Sequence, residues 1–191
     1  MPTTVEPSTF EMVEYDAGVI AALVDDLAAR IGLDPSTEIR VEIDEAVPLG
    51  RNRLESVDPI HIWLEGGAIE NPKQFRQFNP DGATDLLGRH LLRAKDRLDP
   101  DFGDPGPDKE LDLPHRVAWD VYAIGRLVRA GFPANQQRWL YTFRNRHGFT
   151  DAADRAFDDL WNGDGLAWSQ IVAMSDEASA QNPGKLARKP A

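Results

Sequence analysis

Few side chains in this sequence of 191 residues are suited to nucleophilic or acid–base chemistry. The sequence contains no cysteine, which excludes a thiolate nucleophile, disulfide bonds and thiolate metal sites. Four histidines remain as candidate bases or metal ligands, and they are His61, His90, His115 and His147. None of them belongs to an HExxH motif, and Walker A, GxGxxG and GxSxG motifs are also missing. No reaction is therefore indicated by a motif alone.

His90 and Asp96 form the first candidate metal pair. They belong to a helical pattern that begins at Asp81 or Thr84 and ends before Pro100. The apolar stripe of this helix consists of Leu87, Leu91, Ala94 and Leu98. Because His90 lies at the edge of the stripe, it is either a half-buried core side chain or a ligand that joins Asp96 at a metal ion.

The segment around this pair resembles a metal-binding motif. Residues 86–96 read LLGRHLLRAKD and can be aligned with HExxHxxGxxD, the motif of minimal zincin-like metallopeptidases. The order of elements in those proteins is similar to the one that we expect for residues 1–100. His90 and Asp96 match the second histidine and the final carboxylate. Leu86, Leu87 and Arg93 replace the first histidine, the general base and the glycine, so the resemblance implies a catalytically degenerate relative or another hydrolase.

A second candidate site lies on a predicted strand over residues 59–65. Apolar and polar side chains alternate along it, in the order Ile60, His61, Ile62, Trp63, Leu64 and Glu65. This alternation predicts one buried face and one polar face. His61 and Glu65 could join a distant carboxylate in a metal site, and Trp63 could contact a ligand. The polar face could equally be hydrated or covered by the later helices.

The largest charge contrast in the sequence lies in residues 113–149. This segment holds six arginines and one acidic residue, Asp120, in a chain whose net charge is −11. Two helical patterns joined by Gly131 and Pro133 carry these charges. The candidate binding residues of the two helices are Arg126, Arg129, Arg138, Arg144, Arg146 and His147.

Three interpretations of these basic helices stay open. Their arginines could bind an acidic protein partner, or they could pair with the acidic residues of segment 150–177. Together with the aromatic side chains of the second helix, they could also hold phosphates and stack on bases, which would make residues 126–147 a nucleic-acid site. The negative net charge makes nucleic acid the less expected ligand.

The remaining patterns predict an α+β fold. A helix is expected between Asp16 and Gly32, and strict alternation predicts a strand over residues 38–44. Strands over 53–57 and 59–65 would complete a small, mainly antiparallel sheet of two or three strands, accompanied by two helices. We expect a loose arm before this helix, over residues 1–7, and a loop or short irregular helix over 71–80, anchored by Phe75 and Phe78.

Charge and turn residues divide the chain into parts. Residues 1–100 are expected to form the α+β part, and residues 101–111 an acidic loop rich in proline and glycine. Residues 112–180 are expected to form a four-helix part that shares its core with the first part. The polar residues 181–191 are expected to be disordered.

Composition limits the class of function. No apolar run approaches the roughly 18 residues that a membrane span needs, and the first residues lack a signal-peptide pattern, so we expect a cytoplasmic protein without a membrane contact. No cofactor is expected. The missing catalytic motifs and the blocks of opposite charge favour a non-enzymatic interaction or regulatory module with an acidic protein partner. The alternatives are the degenerate metallopeptidase or hydrolase and the nucleic-acid binder, and the oligomeric state is not indicated.

Overall fold

The computed structural model describes residues 3–180, which form two compact units. The first unit contains residues 3–98 and 130–132, and the second contains residues 99–129 and 133–180. Helices and strands are mixed in the first unit, and the second is helical. The tail over residues 181–191, which we expect to be disordered, lies outside the described residues.

A four-stranded sheet forms the centre of the first unit. Its strands are β1 (Thr3–Glu6), β2 (Ile39–Asp44), β3 (Asn52–Val57) and β4 (Ile60–Glu65), in the spatial order β1-β2-β4-β3. β1 and β4 each pair with β2 in parallel, whereas β3 and β4 are antiparallel. The expectation of a mainly antiparallel sheet of two or three strands is therefore wrong, because the sheet has four strands and is mixed. Helix α1 (Ala17–Arg30) connects β1 to β2, and such a helical crossover joins parallel strands.

The N-terminal segment forms a strand where we expect a loose arm. β1 is in register with β2 from Thr3, opposite Ile39, to Glu6, opposite Glu42. Its four residues are too few to show an alternating pattern of their own. The strand is instead stabilised by its parallel partner and by α1, which packs against it.

One face of the sheet forms the core of the first unit. The buried side chains of this face are Val5, Ile39, Val41, Ile43, Ile60, Ile62 and Leu64. α1 packs on β1, while α2 (Pro80–Leu98) packs on β3, β4 and α1. The other face is partly exposed, which explains why polar and apolar residues alternate so strictly along β2.

A two-stranded sheet replaces the loop or irregular helix that we expect between β4 and α2. Its strands, β5 (Glu70–Asn71) and β6 (Gln74–Phe78), pair antiparallel. Phe78 packs edge-on against Tyr15 with 5.9 Å between the ring centroids, so its predicted role as an anchor agrees with this contact. Phe75 is no anchor, because 74% of its side chain is exposed.

Four helices make up the described part of the second unit. They are α3 (Leu113–Arg129), α4 (Gln136–His147), α5 (Asp151–Asn162) and α6 (Trp168–Ala180). All four helices contact one another, and α3 is the central one, since ten of its 17 residues are buried, more than in any of the other three. Gly125 permits the close approach of α3 to α5, because a Cβ at this position would lie 2.0 Å from the carbonyl oxygen of Trp161.

Helices α1 and α5 begin at capping residues that the sequence shows. The side chain of Asp16 accepts a hydrogen bond from the Val19 N–H at 3.0 Å, and that of Thr150 accepts one from the Ala153 N–H at 3.2 Å. Over residues 3–180, none of the helices has both the length and the apolar character that crossing a membrane requires.

Candidate functional site

Helix α4 carries exposed aromatic and cationic side chains opposite a buried face. The buried face consists of Trp139, Phe143 and His147, which follow one another at intervals of four residues. Tyr141 lies on the opposite face and is 49% exposed. Asn135 starts the helix by accepting the N–H of Arg138 at 3.0 Å. Gly148 ends it with a φ of 109°, a conformation that favours glycine.

The turn at Gly148 brings Phe149 next to Tyr141. The centroids of the two rings lie 6.3 Å apart, and Phe149 is 64% exposed. The guanidinium of Arg144 lies 5.9 Å from each ring centroid, which is within the range of a cation–π contact. We call the group of Arg138, Tyr141, Arg144 and Phe149 the α4 surface.

Asp154 of α5 holds the guanidinium of Arg144 in place. Nε donates to Oδ1 at 2.7 Å, and Nη2 donates to Oδ2 at 2.6 Å. These hydrogen bonds raise the pKa of Arg144 and lower the pKa of Asp154, because each stabilises the charged form of both groups. Asp154 belongs to segment 150–177, so for Arg144 the interpretation of internal pairing applies.

Arg138 and Arg146 are exposed at the two ends of α4. Within the described residues, neither forms an ion pair with a carboxylate. At about 100° per residue, Arg138 lies about 60° from Tyr141 around the helix axis, whereas Arg146 lies about 140° from it. Arg138 therefore contributes to the α4 surface, and Arg146 is a neighbouring charge outside it.

Arg126 and Arg129, two further residues of the predicted binding set, contact their own unit. The guanidinium of Arg126 lies 4.0 Å from the ring centroid of Tyr122. Arg129 donates from Nη1 to the carbonyl oxygen of Trp161 at 2.6 Å and from Nη2 to the carbonyl oxygen of Gly163. These carbonyl groups lie at the C-terminus of α5, where a cation is favourable. The cationic surface is thus smaller than the sequence predicts.

His147 is fully buried, although the sequence places it in the binding set. Its Nδ1 lies 3.0 Å from the carbonyl oxygen of Phe143, so this nitrogen carries the proton and donates. Its Nε2 lies 2.8 Å from the hydroxyl of Ser175 and accepts. The ring also stacks on Phe143 with centroids 3.8 Å apart. Burial and these contacts remove His147 from any surface site and give it a structural role.

His115 connects the start of α3 to α6. Its ring nitrogens lie 3.2 Å from a carboxylate oxygen of Asp112 and 3.0 Å from one of Asp176. Asp112 also accepts the backbone N–H of His115 at 2.9 Å and so caps α3. The ring edge packs against Trp168. These contacts give His115 a structural role.

His90 and Asp96 are both buried on α2. Nε2 of His90 donates to Oδ1 of Asn52 at 2.8 Å, and Nδ1 has no hydrogen-bond partner within the described residues. Burial, followed by the charges of neighbouring arginines on α2, holds the pKa of His90 well below its ordinary value. Because α2 continues unbroken to Leu98, side chains six residues apart differ by about 120° around its axis. His90 and Asp96 therefore do not point at one ligand position.

His61 and Glu65 also make separate contacts. Nε2 of His61 lies 3.0 Å from a carboxylate oxygen of Glu42. Glu65 is buried, and its carboxylate accepts the backbone N–H of Arg51 at 2.8 Å. Trp63 stands between them in the sequence, and the guanidinium of Arg53 lies 3.9 Å from its ring centroid. The side chains on the polar face of β4 thus contact other groups of the same unit.

The candidate metal ligands do not form a complete site in the part of the chain that the structure describes. There, no three histidine, aspartate or glutamate side chains are grouped so that they could hold a metal ion. His61 lies on the polar face of the sheet, whereas Asn52, the partner of His90, pairs with Leu64 of the buried face. The two histidines of this unit thus lie on opposite faces, and the predicted metal pairs stay predictions.

Comparison with known proteins adds no function. No protein-family model matches the chain, and no curated protein or solved structure matches it significantly. The resemblance of residues 1–100 to zincin-like metallopeptidases stays a prediction.

The aromatic members of the α4 surface are missing from the predicted binding residues. A signal for Tyr141 exists, because it falls outside the stripe of Trp139, Phe143 and His147. Phe149 follows a glycine directly after the predicted helix, which indicates a turn but not the direction of the ring. The contact between the two rings requires the structure.

Proposed function

We propose that this protein is a non-enzymatic interaction module whose α4 surface binds an acidic segment of a partner protein. One observation carries this proposal: two large aromatic rings, Tyr141 and Phe149, are exposed side by side next to Arg144. Tyrosine and arginine are among the residues that contribute most to the affinity of protein interfaces. Neighbouring exposed apolar groups with a polar rim are typical of interaction sites.

The charge of the α4 surface favours carboxylates on the partner. Within the described residues Arg138 forms no ion pair with a carboxylate, so its guanidinium can donate two hydrogen bonds to a carboxylate of the partner. Arg144 is already oriented by Asp154, so less side-chain entropy is lost when a partner covers it. At physiological ionic strength charges act over about 8 Å, so the local charge of Arg138 outweighs the net charge of distant parts of the chain.

Nucleic acid is the less favoured ligand. Binding to a phosphate backbone depends on several lysines or arginines that each neutralise a phosphate. Arg129 is bound to carbonyl groups at the end of α5, and Arg144 is bound to Asp154. Arg138 and Arg146 are left on α4, in a chain with a net charge of −11. Two arginines are too few to neutralise a continuous phosphate chain.

We further propose that the module acts in the cytoplasm and needs no cofactor to bind its partner. The sequence contains no cysteine that could form a disulfide in an oxidising compartment. The residues of the α4 surface also make their contacts through ion pairs and rings alone, so a peptide can bind them directly.

Two labelled dodecapeptides test the proposal. The first carries glutamate and aspartate around a central Phe-Leu pair, and in the second lysine replaces every acid. Fluorescence anisotropy should show that the full chain binds the acidic peptide and not the lysine peptide. Tyr141→Ala and Phe149→Ala should each weaken binding of the acidic peptide by about tenfold or more, because each removes an interface ring.

Arginine substitutions supply a matched pair for the same measurement. Arg138→Glu should weaken the binding of the acidic peptide as strongly as the loss of an aromatic ring does. Arg146→Glu makes the same change in net charge outside the α4 surface and should alter binding by no more than about twofold. Equal losses in both variants, or equal binding of the two peptides, would contradict the proposal. Tighter binding of a single-stranded oligonucleotide that weakens steeply with salt would assign the surface to nucleic acid instead.

A further inference from the structure

Three parallel strands end at one edge of the sheet in the first unit. β1, β2 and β4 run in the same direction, so their carboxyl ends lie together. The loops that follow them contain residues 7–16, 45–51 and 66–69. In open sheets with parallel strands, ligands commonly bind in the crevice beyond these carboxyl ends. This edge is therefore the place in the first unit where a binding site is most expected.

A cleft of about 110 Å³ lies at this edge. Its apolar walls include Met12, Ala46, Pro48 and Phe75, which come from two of the loops and from the β5–β6 sheet. We call it the carboxyl-edge cleft. Since a cavity of roughly 150 Å³ accepts benzene, this one has room for a short alkyl chain.

Close packing of backbone closes the floor of the cleft. A Cβ at Gly67 would lie 2.4 Å from the carbonyl oxygen of Pro48, so the turn after β4 can touch the neighbouring loop only with glycine here. The hydroxyl of Tyr15 donates to the carbonyl oxygen of Gly66 at 2.7 Å. Burial, followed by the charge of Glu70, raises the pKa of Tyr15 to about 12, so this donor stays protonated at physiological pH.

Two glutamates line the cleft, and backbone N–H groups hold both of them. One carboxylate oxygen of Glu45 accepts the N–H of Glu11 at 2.9 Å and that of Met12 at 2.7 Å. One carboxylate oxygen of Glu70 accepts the N–H of Arg76 at 2.5 Å. Within the described residues, the second oxygen of each glutamate accepts no hydrogen bond. Each side chain thus orders a wall of the cleft through one of its two oxygens.

Arg76 also lines the cleft but leaves these carboxylates unneutralised. Its backbone has a φ of 63°, which residues other than glycine rarely adopt. Its guanidinium lies 5.1 Å from the ring centroid of Phe75 and, within the described residues, forms no ion pair with Glu45 or Glu70. Two carboxylates and one guanidinium give the lining a net charge of −1, which favours a cationic ligand.

We propose that the carboxyl-edge cleft binds the alkylammonium group of a lysine side chain from a partner polypeptide. The apolar walls fit the methylene chain, which lysine buries along apolar surface while its charge stays with polar groups. The ammonium group has three donors, and the second oxygens of Glu45 and Glu70 can accept from it. This site involves none of the residues of the α4 surface, so the two proposals stand or fall separately.

A small amine and a neutral molecule of the same size test the site. In an NMR titration of the labelled full chain, n-butylammonium chloride should shift the amide signals of Gly66 and Gly67 saturably. n-Butanol should bind at least about tenfold more weakly, since it lacks the charge. A lysine-containing peptide should shift the same signals, and the same peptide with norleucine in place of lysine should not.

Glutamine substitutions locate the charge without breaking the loops. Glu45→Gln and Glu70→Gln should each weaken the binding of butylammonium at least about fivefold. The amide oxygen of glutamine can still accept hydrogen bonds from the backbone N–H groups. Unchanged signals elsewhere in the spectrum would show that the variants fold. Glu55→Gln is the matched control, because Glu55 on β3 pairs with Arg53 and does not line the cleft. This control should leave the affinity unchanged.

Three results would overturn the proposal. Equal binding of n-butanol and butylammonium would make the cleft a purely apolar site. Shifts of the Gly66 and Gly67 signals by calcium chloride that butylammonium cannot displace would assign the carboxylates to an inorganic cation. No saturable shift with either the amine or the lysine peptide would show that the cleft binds no alkylammonium group.

Discussion

The α4 surface and the carboxyl-edge cleft combine charge with apolar side chains in opposite ways. On the α4 surface, two rings are exposed beside Arg144, and a side chain of the neighbouring helix, Asp154, orients the guanidinium. The cleft is lined by two carboxylates and one guanidinium, and backbone N–H groups of a loop and of β6 orient the carboxylates. The comparison teaches that the first site depends on helix packing and the second on loop geometry. Substitutions should therefore separate the two sites.

The largest difference in stability should come from replacing, in each unit, the glycine at the tightest backbone contact. In Gly125→Ala the new Cβ would lie 2.0 Å from the carbonyl oxygen of Trp161, within packed helices that cannot easily move. Overpacking of this kind typically costs 1–3 kcal/mol or more, so we expect the thermal midpoint to fall by about 5 °C or more. Calorimetry of the full chain measures this change.

Gly67→Ala is the counterpart in the cleft. Its Cβ would lie 2.4 Å from the carbonyl oxygen of Pro48, but Leu49 and Gly50 beside that residue are exposed and the loop can shift. We therefore expect a smaller fall in the thermal midpoint, together with a loss of butylammonium binding. A larger fall for Gly67→Ala than for Gly125→Ala would contradict the distinction between helix packing and loop geometry.

Burial of His90 should make the stability of the chain depend on pH. The folded-state pKa of His90 lies below the value of about 6.5 in the unfolded chain. Below pH 6.5 the unfolded state therefore binds a proton that the folded state does not, and stability falls as the pH falls. The slope of this contribution is at most about 1.4 kcal/mol per pH unit.

Urea unfolding between pH 7 and pH 5 tests this prediction. His90→Gln should flatten the dependence on pH, because glutamine does not titrate. His61→Gln serves as the control, since His61 lies on the partly exposed face of β4. In this variant the free energy of unfolding should keep the dependence on pH that His90 causes. If His90→Gln and the parent chain lose stability in parallel, the buried histidine has no such role.

The smallest effect should come from Tyr15→Phe, which acts on the cleft alone. The change removes the hydrogen bond from the Tyr15 hydroxyl to the carbonyl of Gly66 but keeps the ring that packs on Phe78. A lost hydrogen bond of this kind is worth about 1 kcal/mol, and we expect butylammonium binding to weaken by about threefold. Binding of the acidic peptide should stay the same, and a comparable loss there would count against separate sites.

The helices could be predicted from the sequence because their signals are local. Val117, Val121 and Ile124 recur at helical spacing and predict α3, and Asp16 and Thr150 are residue types that typically begin helices such as α1 and α5. Alternation also located β2 and β4. It could not give their pairing, because strands with one buried face look alike whether their neighbours are parallel or antiparallel. The short β1 and the β5–β6 sheet become strands through pairing, which no local pattern shows.

The sites were harder to predict because they depend on contacts between remote residues. The arginines of the basic helices are visible as a charge block, but periodicity does not show that Arg129 turns to α5 and Arg144 to Asp154. The cleft is less visible still. Glu45 lies in the loop after β2 and Glu70 lies on β5, and their spacing carries no signal until the fold brings the two segments to one edge.

A double titration of one labelled sample tests the central proposal most directly. The acidic dodecapeptide should shift the amide signals of Tyr141 and Phe149 and leave those of Gly66 and Gly67 in place. In Arg138→Glu these shifts should need about tenfold more peptide, and in Arg146→Glu they should stay almost the same. Butylammonium, added next, should then move the two glycine signals alone. Acidic-peptide shifts that avoid Tyr141 and Phe149, or that survive Arg138→Glu unchanged, would contradict the account of the α4 surface.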